Sequence, residues 1–239
     1  MPEELLSGLR ARLQEQSQVP RLPPDWHCES AMLAAHGYEY GGDFFVADLV
    51  THETGGLGLQ MVLVDVCGKG STAVPDAVQF AGALGGLVVA VAPEDLLAAA
   101  NEFLVRQPSD EAFATAVQVI VDFATGRYSV RSAGHPPVLH WRMDLGEWVV
   151  DNARGTALGV VEHPELHVSE GVLDRGEALL FYTDGMVESR GTDIDDGIAW
   201  LRAVARTAVA DGFADAPDRI LRQVERGDDD RAVLILGRE

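Results

Sequence analysis

Cysteine and positive charge are both scarce in this chain. Cys28 and Cys67 are the only cysteines; they show no metal-type spacing and make no disulfide framework. A reducing cytoplasm is therefore the expected setting. Lys and Arg number 18 against 38 Asp and Glu, a formal net charge of −20 over 239 residues. So acidic a surface repels polyanions, and neither nucleic acid nor an anionic membrane is expected as a partner. It also repels anionic phosphosubstrates. Any phosphate site must carry its own positive charge, and bound metal ions are the natural source. Long hydrophobic runs are missing too. The most apolar stretch, Ala77 to Ala92, is too short to span a bilayer and contains Gln79, so it reads as a buried helix. The opening MPEELLSGLR has acidic residues and no apolar core of signal-peptide length.

What the chain does have is apolar content, 47% of its residues, which weighs against disorder and supplies a core. Residues Glu3 to Gln16 read as a short amphipathic helix striped by Leu5, Leu6, Leu9 and Leu13. The Pro-rich connector VPRLPPD ends it. Strands are predicted at Cys28–Ala35, Asp43–Val50 and Leu59–Val66, then helices at Thr72–Val91 and Pro93–Arg106. More strands follow at Ala112–Phe123, Arg127–Arg131, Val138–Arg142, Glu147–Val150 and Ala178–Thr183. Helices at Ile194–Ala210 and Ala214–Arg226 precede a last strand, Ala232–Leu236. Strands mostly follow strands, so the pattern predicts an α+β fold with antiparallel sheets covered by helices. The expected division is an N-terminal regulatory or dimerisation helix over residues 1–18 and one domain over 19–239.

Aspartates at strand ends are the chemical signal. If the hairpin around THETGGLG is symmetric, Phe45 faces Leu63, Ala47 faces Met61 and Leu49 faces Leu59, all on one face. At the end of that apolar face Asp43 meets Asp65. Facing like charges cost stability unless a cation sits between them, and Mg²⁺ or Mn²⁺ prefers carboxylate oxygen. The bland reading is a solvated strand end with two turn residues. The pattern recurs where FYTDG ends an apolar strand at Asp184 and where Asp228, Asp229 and Asp230 precede the last strand. If those two strands are antiparallel neighbours, the carboxylates converge.

Five motifs occur in the order seen in the PPM phosphatases: GGDFF (Gly41–Phe45), VDVCGKG (Val64–Gly70), SAGHPP (Ser132–Pro137), LLFYTDGMVESR (Leu179–Arg190) and DDRAVLIL (Asp229–Leu236). The chain most resembles their SpoIIE-like branch, the bacterial regulators of partner-switching pathways, from about residue 20 onward. The resemblance implies an αββα sandwich and a serine/threonine phosphatase using two Mn²⁺ or Mg²⁺ ions bridged by an attacking water. It implies that Asp65 bridges both ions and is the catalytic carboxylate. Asp43 would hold one ion, Asp184 and Asp229 the other, and Val66 would offer its backbone carbonyl. Asp229 is preferred to Asp230 because it matches the first Asp of the family's DD-x-T pattern. The implied substrate is a phosphorylated STAS-type anti-anti-sigma protein in sigma-factor control and stress response, with an upstream regulator protein and a homodimer as further expected partners. The alternative is a degenerate phosphatase-fold module that only docks a partner; the presence of all four carboxylates argues against it.

Two positions depart from the pattern. Cys67 stands where eukaryotic members carry a His proposed as general acid, and a free thiol is a poor acid at neutral pH, so leaving-group protonation falls to water. Ala232 stands where Thr is usual. Other candidates have bland readings: His135 as a turn-orienting residue, Lys69 as a surface lysine rather than a phosphate contact, Cys67 as a buried inert thiol, and Gly82–Gly86 as glycines that allow close helix packing.

Overall fold

Apolar side chains stand on both faces of the strand Leu57–Val66, so this strand must be covered twice. The computed structural model shows how. It describes residues 8–9, 11–13, 17–34, 42–51, 55–68, 74–108, 112–188, 193–224 and 229–239. The strands are β1 (Trp26–Leu33), β2 (Phe44–Thr51), β3 (Leu57–Val66), β4 (Ala114–Asp122), β5 (Arg127–Ala133), β6 (Leu139–Arg142), β7 (Glu147–Val150), β8 (Val168–Val172), β9 (Glu177–Tyr182) and β10 (Arg231–Arg238). One sheet has the order β1-β10-β9-β6-β7 and the other β2-β3-β4-β5-β8, and neighbouring strands are antiparallel throughout.

Phe45, Leu59, Met61, Leu63, Val117 and Val119 of the second sheet pack against Leu179, Phe181, Ala232, Leu234 and Leu236 of the first. The alternate residues face outward under helices. Phe44, Val46, Val62 and Val64 meet Ala77, Phe80 and Leu84 of α1 (Val74–Ala90) and Leu97 and Ala100 of α2 (Leu96–Val105). Leu180, Tyr182, Val233 and Ile235 meet Ile198, Leu201 and Ala205 of α3 (Ile194–Ala208) and Ile220 of α4 (Ala216–Leu221). This is the expected α+β sandwich of two antiparallel sheets flanked by helices.

The β2–β3 register agrees with the symmetric hairpin: Phe45 pairs with Leu63, Ala47 with Met61 and Leu49 with Leu59. The expectation of one core face is too modest, because the alternate face is core as well. Strand β8 is missing from the sequence reading. Its inner residues are Ser169 and Gly171, so no apolar alternation marks it. Gly171 is required there, since a Cβ would lie 2.6 Å from the Tyr128 ring. Helix α4 is shorter than read, and Pro93 opens a 3-10 turn before α2 rather than an α-helix. The glycines of α1 are helical as expected, but a Cβ on Gly85 or Gly86 would meet nothing, so close packing does not explain them.

Of the N-terminal segment, residues 8, 9 and 11–13 are helical, and Leu5 and Leu6 lie outside the described residues. Leu13 is buried in the α1-side core, and Leu9 packs by Val74 and Val78. The Ser17 hydroxyl accepts a hydrogen bond from the Phe45 N–H on edge strand β2 (3.2 Å).

Candidate metal centre

Strand parity carries Asp43, Asp65 and Thr183 into the space between the sheets. Asp65 has the parity of Leu59, Met61 and Leu63, which face that space, and Asp43 stands one residue before the first paired rung of β2. Thr183 follows Phe181 with the same parity, one residue past β9. Strands β9 and β10 are antiparallel neighbours, and the Thr183 N–H donates to the Ala232 carbonyl at 3.2 Å. Asp184 thus opens a 3-10 turn, Asp184–Met186, beside the start of β10. The chains approach closely there, since a Cβ on Gly185 would lie 2.0 Å from the Asp230 carbonyl oxygen.

Three hydrogen bonds tie this end of the sandwich together. The Ala232 N–H donates to Thr183 Oγ1 (2.9 Å), and Thr183 Oγ1 donates to Asp43 Oδ2 (2.8 Å). The Gly42 N–H donates to Asp230 Oδ2 (2.7 Å). Asp230 is buried, whereas Asp43, Asp65, Asp184 and Asp229 are half-buried. The Asp230 N–H in turn donates to Asp229 Oδ1 at 3.1 Å.

The electrostatics follow from this proximity. Burial pushes the Asp65 carboxyl up to about 8, helped by the charges of Asp184, Asp229 and Asp230, while a hydrogen bond with Asp43 opposes the shift. Burial also holds Asp43 well above the carboxylate range, aided by Asp65, Asp230 and Asp184, with the Thr183 hydroxyl opposing. Carboxylates from four separate chain segments therefore feel one another. Among the described residues, no three such side chains yet surround a common point at metal-coordination distance. Asp43 and Asp65 share a hydrogen bond instead, which requires a proton. The donor set is all hard oxygen and short of positive charge, which fits a divalent cation of the Mg²⁺ or Mn²⁺ type in the proton's place.

The remaining candidates separate cleanly. His135 is buried, its Nδ1 lies 2.8 Å from Thr115 Oγ1, and its carbonyl accepts from Ser132 Oγ (3.1 Å). Burial pushes its imidazole down to about 3, so it is neutral and fits the structural reading. Cys67 is exposed, not buried as read: its N–H still donates to the Phe113 carbonyl at 3.1 Å, but its side chain lies past the end of β3 in solvent. Lys69 and Asp228 lie outside the described residues. The sequence reading missed Thr183 and the tether through Asp230. The hydroxyl in TDG and the second Asp of DDD are visible in sequence, but their partners are distant in the chain.

The family model described as Stage II sporulation protein E (SpoIIE) matches residues 55–239, a stretch that begins after Asp43. The RsbU and RsbW domains of a Mycobacterium tuberculosis protein superpose with a TM-score of 0.77 at 27% identity, covering 94% of this chain and 62% of that one. The PP2C phosphatase domain of SpoIIE from Bacillus subtilis, with a fragment of its regulatory domain, gives a TM-score of 0.73 at 17% identity, covering 89% of this chain and 63% of that one. RsbX in complex with magnesium gives 0.66 at 15% identity, covering 92% and 98%. The chain thus spans somewhat under two thirds of the first two neighbours. No helix among the described residues is long and apolar enough to cross a membrane. With the family match covering most of its length and the two-sheet architecture in agreement, the chain belongs to the SpoIIE family of PP2C-type phosphatases.

Proposed function

We propose that this protein is a metal-dependent protein serine/threonine phosphatase acting on a phosphorylated regulatory protein. The observation that carries the reading is the convergence on Asp65: Asp184, Asp229 and Asp230 act on it through space, and Asp43 bonds to it. Two Mn²⁺ or Mg²⁺ ions held here would acidify a shared water and neutralise phosphoryl oxygens. In this reading Asp65 would serve both ions, with Asp43 holding one and Asp184 and Asp229 the other. The Val66 carbonyl is the neighbouring backbone ligand. Asp229 is preferred to the adjacent Asp230 on its match to the first Asp of the family's motif, and Asp230 is assigned the tether to Gly42. The magnesium bound by the RsbX neighbour supports the choice of a hard divalent cation.

The substrate proposed is a phosphorylated STAS-type anti-anti-sigma protein. The neighbour that joins RsbU and RsbW domains in one chain is in keeping with such a pathway. Residues 1–18 are proposed as a regulatory or dimerisation element, and their deletion should change solution size or turnover. The main test is phosphate release from a phosphoserine peptide with Mn²⁺, with and without chelator, against a nucleotide control. Mn²⁺-dependent, chelator-sensitive release from the peptide is expected. No release under any condition would leave a docking module, and release only from the nucleotide would move the enzyme to small-molecule substrates.

A further inference from the structure

We infer that Thr183 is a positioning residue for the metal centre, acting with Asp230 as a clamp by which one sheet sets the ligand geometry of Asp43 on the other. The inference rests on the metal-dependent reading above. Asp43 stands outside β2, one residue before its first ladder pair, so the sheet alone does not fix its side chain. Within its own sheet it shares a hydrogen bond with Asp65, and two further contacts reach this segment from the opposite sheet. The Thr183 hydroxyl has one proton to give. Its oxygen accepts the Ala232 N–H at 2.9 Å, and its own proton goes to Asp43 Oδ2 at 2.8 Å. Asp43 Oδ2 is thereby held, which would fix the plane in which the carboxylate is presented to a cation. Asp230 acts on the preceding residue, where its Oδ2 receives the Gly42 N–H at 2.7 Å. The side chain of this ligand and the backbone of the residue before it are thus gripped together, from residues 140 and 188 positions away.

Ala232 gives the arrangement its economy. It is fully buried, and its side chain has no hydroxyl to offer at this level of the paired strands. Thr183, directly opposite, supplies the one that is used. A partner that orients a metal-binding carboxylate typically changes metal affinity by about 10–100-fold when removed.

The test compares Thr183→Val, which keeps the shape without the hydroxyl, with Thr183→Ser, which restores it. Mn²⁺ binding is measured by calorimetry on the whole chain, alongside the Mn²⁺ dependence of turnover. Thr183→Val should weaken Mn²⁺ binding about tenfold or more, with turnover at saturating Mn²⁺ recovering to within about threefold. Thr183→Ser should bind like the wild type. Should Thr183→Val fail to fold, Thr183→Ala takes its place, since the space it opens lets water satisfy the Ala232 N–H. A folded variant without the hydroxyl that binds Mn²⁺ as tightly as the wild type overturns the inference, as does a Thr183→Ser protein as weak as Thr183→Val. A wild type that binds no Mn²⁺ overturns the metal-dependent reading instead, so the two failures are told apart.

Discussion

Strand β9 begins and ends in buried carboxylate chemistry, and its two ends are built on opposite principles. At its start Glu177 is 4% exposed and ringed by donors. His140 Nε2 lies at 3.1 Å, Arg142 Nε at 3.2 Å and the Asp174 N–H at 3.1 Å. Tyr128 continues the network from the other sheet, its hydroxyl 3.2 Å from His140 Nδ1. Past its far end, carboxylates face carboxylates. Asp65 and Asp43 feel Asp184 and Asp230 as like charges, relieved by a shared hydrogen bond and the Thr183 hydroxyl. A buried charge surrounded by donors is a finished structural joint, whereas one assembled among like charges is completed by a cation from outside.

The comparison is broken most forcefully by Asp65→Asn. The amide keeps the shape and removes the charge, so Mn²⁺-dependent phosphatase activity should fall by orders of magnitude. The same variant should melt at a higher temperature than the wild type in chelator at pH 8, because a repelled carboxylate is gone. Near wild-type turnover would sink the proposed role of Asp65. Glu177→Gln should do the reverse. It weakens the bonds to His140 and Arg142 and should cost about 1–2 kcal/mol in chemical denaturation. Turnover per folded molecule should stay within about threefold of wild type, given the length of β9 between Glu177 and the metal centre.

The pH dependence of stability sharpens the same contrast. Asp65 titrates near 8 when folded and near 4 when unfolded, so between those values the folded state holds more protons and stability falls as pH rises. His140 and His135 are pushed below the usual imidazole value of 6.5, so their contribution has the opposite sign and is complete above that pH. From pH 6.5 to 8 in chelator the melting temperature should therefore decline. Asp65→Asn should flatten that decline, and so should saturating Mn²⁺. A rising curve over this window would contradict the electrostatics of the cluster. The smallest effect is expected from Cys67→Ser. The thiol is exposed at the edge of the site and has no proton-transfer task in the proposal, so turnover should change by less than about threefold. A large loss would reopen the question of a general acid.

Much of this was legible from local pattern. The β2–β3 register follows from where the apolar residues fall about the turn, and the observed pairs agree rung for rung. The convergence of Asp184 with the acidic run before β10 required only that β9 and β10 be antiparallel neighbours, as they are. Strand β8 escaped because Ser169 and Gly171 fill its inner face, leaving no periodic signal. The exposure of Cys67 escaped although the strand end at Val66 was read correctly, because burial just past a strand end depends on which distant segments cover it.

The order of strands and helices, the paired aspartates of the first hairpin and the acidic strand ends belong to the sequence by itself. They rest on side-chain alternation, turn chemistry and the cost of facing like charges, all local or nearly so. The clamp on Asp43 belongs to the tertiary structure. Its contacts join residues 140 and 188 positions apart, and no periodicity carries information over that distance. It exists because two sheets, each with an apolar inner face, stack and bring the end of β9 and the start of β10 against the entry to β2.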